Sequence, residues 1–129
     1  GVGGAISTEE TQRPEDTQNF TALLAEFRRQ LDIQGIAANK HYPLTIAASA
    51  NPATFAMLEL DQIHPYLDHI NVMAYDTHGS WESQTNFNAP LLPSEADPAR
   101  SRQLTSSEVI QGFITGGVPP SKLVLGVPF

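Results

Sequence analysis

Apolar residues in this chain fall into three segments with helical spacing that alternate with three short apolar runs. In the first segment Phe20, Leu23, Leu24, Phe27 and Leu31 recur along one helix face. The spacing predicts an amphipathic helix over roughly Pro14 to Leu31, with Pro14 in its first turn and Glu15 and Asp16 at the positive end of its dipole. Glu26, Arg28, Arg29 and Gln30 lie on the polar side and read as a solvated face. After the connection "DIQGIAANKHYP" comes "LTIAASA", Leu44 to Ala50, which suits a strand covered on both faces. Asn51 and Pro52 have the character of an N-cap and first helical residue, predicting a helix somewhere within Ala53 to Ile63, with Pro65 complicating its end. A second strand is expected over about His69 to Tyr75. "TSSE", Thr105 to Glu108, is a capping box that opens a helix carrying Val109, Ile110, Phe113 and Ile114. Gly116 and Gly117 stop that helix through a left-handed residue, Pro119 and Pro120 prevent its resumption, and "KLVLGVPF" supplies a third buried strand.

The order helix, strand, helix, strand, helix, strand points to a parallel sheet with crossover helices, either an open doubly wound sheet or part of a barrel. Gly1 to Gln12 lack an apolar period and read as a surface loop. Thr77 to Gln103 also lack one, and so long a loop in a compact domain is usually functional or disordered.

Composition narrows the function. A length of 129 residues with 40% hydrophobic content fits one globular unit. The 14 acidic against 7 basic residues give a net charge of −7, which repels a phosphate backbone, so no nucleic acid partner is expected. No run approaches a membrane span and no signal peptide is visible, so no membrane partner is expected and the compartment is not legible from the residues. The chain has no cysteine, which excludes disulfides and thiolate metal sites. His41, His64, His69 and His78 show no i, i+4 pair with a carboxylate motif, so no metal is expected. "GVGG" follows no strand and lacks the lysine of a phosphate loop, and Ser80 has no elbow glycines of an acyl-transfer nucleophile.

The richest chemistry lies in "INVMAYDTHGSWE", Ile70 to Glu82. A period of two puts Ile70, Val72 and Ala74 on one face, suited to packing helices, and Asn71, Met73 and Tyr75 on the other. That second face is poor filler for a dry core and reasonable lining for a barrel interior that opens into a pocket. Tyr75 and Asp76 occupy the carboxyl end of the strand, where α/β barrels gather their reactive groups. Plainer readings stand beside this one. Tyr75 is a buried structural tyrosine, Asp76 a turn residue, Met73 a gap filler, and Trp81 a cap on the rim.

The stretch resembles the sixth-strand signature of family 18 glycoside hydrolases of the chitinase type, in which Met-x-Tyr-Asp ends the strand and an aromatic-bearing loop follows. The flanks agree. "RPEDTQNFTALLAEFRRQLD" resembles the helix after strand four, "LTIAASA" strand five, "TNFNAPL" the loop after strand six, and "KLVLGVPF" strand seven. The resemblance covers nearly the whole chain and implies a partial (β/α)8 TIM barrel, about strands five to seven with their helices, over residues 1–129. It implies hydrolysis of β-1,4-linked N-acetylglucosamine polymers in which the substrate's own acetamido oxygen is the nucleophile and a protein Glu is the acid. By the same resemblance Tyr75 and Asp76 position the acetamido group and support its developing charge, Met73 lines the sugar pocket, and Trp81 covers a sugar on the leaving-group side. No cofactor is implied. The implied partners are chitin or its oligosaccharides, and the implied location is extracellular.

One departure matters. The family's acid ends strand four, in a motif of three Asp leading to Glu, and no segment here reads that way; Glu82 belongs to the loop after strand six. The expectation is that the chain is a middle portion of a barrel, inactive alone, and that the remainder of a longer chain or another copy covers its exposed edges and inner face. The alternative is a noncatalytic chitin-binding lectin of the same fold, and a third class is an unrelated open α/β structural or nucleotide-binding domain.

Overall fold

Thr45–Ser49 (β1), His69–Met73 (β2) and Leu123–Leu125 (β3) form one parallel sheet in that order. Ile46 pairs with Ile70 and Ala48 with Val72, while Ile70 and Val72 pair in turn with Leu123 and Leu125. The residues expected to pack helices therefore share a face, and Ile70, Val72 and Ala74 are each buried. The computed structural model describes residues 13–129, so the surface loop expected over Gly1 to Gln12 lies outside the described residues.

The connections are helical: α1 (Asp16–Ala38) precedes β1, α2 (Pro52–Phe55) and α3 (Leu60–Ile63) join β1 to β2, and α4 (Ser106–Thr115) leads to β3. The result is an α/β unit around a three-stranded parallel sheet. Its core comprises Ile63, Leu67, Ile70, Val72, Val109, Phe113 and Val118, with the rings of Phe55 and Phe113 tilted at 38° and 4.6 Å apart.

Local signals account for most of the ends. Asn51 accepts the Ala53 N–H at 3.0 Å and caps α2. Thr105 caps α4 by accepting the Glu108 N–H, but the Glu108 carboxylate takes the Thr105 hydroxyl at 2.7 Å, so the reciprocal bond of the box goes to a side chain. Gly117, at φ +100°, closes α4 with a Schellman pair, its N–H on the Ile114 carbonyl and the Val118 N–H on that of Phe113.

Two elements differ from the pattern. The first helix continues past Leu31 to Ala38, where Asn39 at φ +48° ends it and the Lys40 N–H returns to the Gly35 carbonyl at 2.9 Å. Gly35 disguised its last turns as a connection. The second expected helix is broken in two, because α1 holds the break open: Thr17 donates to the Met57 carbonyl at 2.8 Å and Thr21 to the Glu59 carboxylate at 2.6 Å. These tertiary bonds override the helical propensity of the segment.

Burial corrects a further expectation. Thr45 and Ala47 are exposed, so among the described residues β1 is covered on one face only. Within the predicted stripe of α1, Leu24 is buried, while Leu23 and Phe27 are about half exposed at 50% and 49%. The stripe is wider than the surface this sheet offers it.

At the amino ends of the strands, Asp68 accepts the Leu44 N–H at 2.7 Å, His41 Nε2 lies 2.6 Å from its other oxygen, and Arg28 stands 3.4 Å away. The Leu44 N–H chiefly, and then His41 and Arg28, hold the Asp68 carboxyl below its ordinary value against the opposing effect of burial. The stabilisation this provides is present above the unfolded-state value of about 3.9 and is lost as pH falls through the lower folded value. Asp68→Ala should cost about 2 kcal/mol by stranding the Leu44 N–H. Thermal melts of the Asp68→Asn protein against pH should show a flatter acid limb; an unchanged limb would reject the assignment.

Candidate functional site

Where β2 ends, the chain turns sharply. The Val72 carbonyl accepts the Ala74 N–H at 2.9 Å and the Gly126 N–H at 2.8 Å, tying the strand end to the segment after β3. Two residues later Asp76 adopts φ +54°, a left-handed conformation that Asp tolerates better than most residues. The turn directs Met73, Tyr75, Asp76 and Thr77 to the carboxyl end of the sheet. There they line a cavity of about 390 Å³ with Ser49 and Asn51 from the end of β1 and Trp81, Arg102 and Leu104 from the long loop. All four residues singled out in the sequence, Met73, Tyr75, Asp76 and Trp81, border this cavity. Larger cavities exist, including one of about 550 Å³ between α1 and β1, but that one is mainly apolar and contains only Met73 of the four.

Tyr75 is held by close packing. A Cβ at Gly126 would lie 2.9 Å from the Tyr75 ring, so the ring occupies the space that glycine leaves. Met73 is 39% exposed and Trp81 66%, as suits side chains facing an open cleft and not a dry core. Asn71, the other polar residue of that face, donates to the Ile46 carbonyl at 3.2 Å and serves the sheet.

Asp76 is gripped by a residue the sequence reading did not single out. Asn88 Nδ2 donates to Asp76 Oδ1 at 2.8 Å, and the Asp76 N–H donates to Asn88 Oδ1 at 3.3 Å. The Asn88 backbone carbonyl also accepts both the Thr77 N–H, at 3.0 Å, and the Thr77 hydroxyl, at 2.9 Å. Of the two Asp76 carboxyl oxygens, the Asn88 amide takes Oδ1. "TNFNAPL" contained the signal, since an Asn between turn residues is a common side-chain-to-backbone clasp, but its partner lies twelve positions away.

The loop from Thr77 to Gln103 is irregular but tied at several points. Asn86 donates to Asp97 at 2.7 Å, and the Ser106 and Ser107 N–H groups reach back to the Pro90 and Leu91 carbonyls. The Ala99 N–H and then Asn86 hold the Asp97 carboxyl below its ordinary range. Arg102, which enters the cavity from a 3-10 turn at Arg100–Arg102, carried no sequence signal; the path of the loop alone brings it there. His41 and His78 each lie beside a carboxylate, on Asp68 and Glu82, and among the described residues no group of three His, Asp or Glu converges as metal ligands.

Comparison with known proteins identifies the family to which this chain belongs. The chain is 42% identical over 126 residues to chitinase A1 of Niallia circulans, covering 92% of this chain and 18% of that protein. It is 36% identical to chitinase 1 of Aphanocladium album, covering 86% of this chain and 26% of that one. The chain thus spans about a fifth to a quarter of the length of these relatives. Among solved structures, chitinase ChiA74 from Bacillus thuringiensis superposes with a TM-score of 0.94 at 42% identity, over 98% of this chain and 20% of that chain. An Ostrinia furnacalis group IV chitinase in complex with allosamidin superposes at 0.80 with 34% identity, over 95% of this chain and 32% of that one. The family model for glycosyl hydrolases family 18 matches residues 5–129. With nearly the whole length matched, the chain belongs to glycosyl hydrolases family 18.

Proposed function

We propose that residues 1–129 form part of the catalytic barrel of a chitinase, about strands five to seven, and supply one side of its sugar-binding cleft. The observation that carries this reading is the convergence of Met73, Tyr75, Asp76 and Trp81 on one cavity at the carboxyl end of a parallel sheet. The substrate is β-1,4-linked N-acetylglucosamine. Its acetamido oxygen attacks the anomeric carbon as the glycosidic bond breaks, and the leaving oxygen takes a proton from an acid contributed by the rest of the barrel. The oxazolinium so formed is opened by water with retention. Tyr75 donates its phenolic hydrogen to the acetamido oxygen, and Asp76 accepts from the acetamido nitrogen as that group gains positive charge. Met73 lines the pocket wall, and the indole of Trp81 covers the apolar face of a sugar on the leaving-group side. The proposed location is extracellular, since polymeric chitin does not pass a membrane to reach an enzyme inside the cell. The half-exposed Leu23 and Phe27 and the uncovered face of β1 are the surfaces that neighbouring barrel elements cover.

In the whole enzyme, Tyr75→Phe should lower kcat on chitin oligosaccharides by roughly 1–2 kcal/mol of transition-state stabilisation while changing ground-state binding little. Kinetics beside equilibrium binding of the same oligosaccharide separate the two. Equal losses in both would refute the role given to the phenol.

A further inference from the structure

The loop after β2 carries a charged cluster that the roles above do not use. His78 is 4% exposed, and its Nδ1 lies 2.6 Å from Glu82 Oε2. The other Glu82 oxygen accepts from the Arg102 guanidinium, which arrives from the far end of the loop. These two neighbours, the histidine first, keep the Glu82 carboxyl below its ordinary range. Between His78 and Glu82 the chain makes a tight turn in which the Glu82 N–H donates to the Gly79 carbonyl at 3.0 Å, leaving Ser80 and Trp81 at the corner.

Trp81 is 66% exposed, so burial does not fix its ring. The indole instead lies against Gly79, where a Cβ would come within 2.3 Å of a ring carbon. Trp81 and Arg102 border the cavity of Tyr75 and Asp76, and both also border an adjoining cavity of about 420 Å³ with His78 and Glu82. The indole therefore stands between the two cavities, and the His78–Glu82 hydrogen bond closes the turn that carries it.

We propose that Glu82, held between His78 and Arg102, is a positioning residue that fixes the Trp81 indole in its sugar-stacking orientation, with Gly79 as the seat of the ring. This rests on the reading of Trp81 as a sugar platform. An exposed indole on an unpinned turn samples several rotamers and must surrender them on binding; one held in place has surrendered them on folding. Neither Glu82 nor Gly79 touches the reacting atoms, so the device acts on the affinity for sugars that reach Trp81 and not on bond cleavage.

The test uses the whole enzyme and N-acetylglucosamine oligomers long enough to cover the leaving-group side. Glu82→Ala should raise KM about tenfold, the scale of immobilising one large side chain, with kcat changed less than twofold. Gly79→Ala, which alters no charge, should give the same split by displacing the ring. In the Trp81→Ala background, Glu82→Ala should add nothing. Should the Glu82→Ala protein not fold, Glu82→Gln and Gly79→Ala decide by the same readout. An unchanged KM, a fall in kcat as large as the rise in KM, or a further rise in KM in the double variant overturns the positioning role while leaving Trp81 as a platform. A Trp81→Ala enzyme with unaltered KM for long oligomers overturns the platform reading and the positioning role with it.

Discussion

On the chitinase reading proposed above, replacing Gly126 with valine should lower turnover of chitin oligosaccharides by the whole enzyme about 100-fold or more. Gly126 follows β3, and its N–H donates to the Val72 carbonyl at 2.8 Å. A Cβ there would lie 2.8 Å from that same carbonyl oxygen and 2.9 Å from the Tyr75 ring. The carbonyl belongs to the central strand and has no room to retreat, so the ring must move, and the branched methyls of valine drive it further than alanine would. In the role proposed for Tyr75, a phenol displaced by an ångström would no longer meet the acetamido oxygen as charge develops on it. Overpacking should also cost the fold about 1–3 kcal/mol. Steady-state kinetics with a thermal melt resolve the two effects, and a folded Gly126→Val enzyme with turnover within threefold of the parent would falsify the claim that this glycine seats Tyr75.

The sequence was informative wherever a local rule decides the outcome. Alternation placed Ile70, Val72 and Ala74 on the buried face, and all three are there because a half-covered strand has a strict period. The caps at Asn51 and Thr105 and the left-handed stop at Gly117 were legible because each satisfies backbone groups within a few residues. What the sequence did not reveal depends on partners far along the chain. The break between α2 and α3 is sustained by Thr17 and Thr21 on α1, about forty positions earlier. The exposure of Leu23 and Phe27 reflects the limited area of the sheet beneath them, and no periodicity reports that area. The site divides in the same way. Tyr75 and Asp76 follow from the end of a strand, whereas Asn88, Arg102 and Gly126 reach them only through the folded path of the chain.

Asn88 gives the second large effect. Asn88→Ala should reduce kcat about 100-fold or more, because it removes both side-chain bonds that hold Asp76 at φ +54°. The substitution is unusually clean. The bonds from the Thr77 N–H and hydroxyl go to the Asn88 backbone carbonyl and survive it, so the loop keeps its course while the grip on the carboxylate is lost. Asp76 is then free to leave the left-handed region, and its carboxylate would lose the orientation that its proposed role requires. Asn88→Asp should be worse, since it exchanges the donor at 2.8 Å for a second negative charge. The readout is kcat beside the affinity for an unreactive oligosaccharide. If Asp76 acts as charge develops, kcat must fall further than affinity; if both Asn88 variants stay within threefold of the parent in kcat, Asp76 is held by something other than this amide.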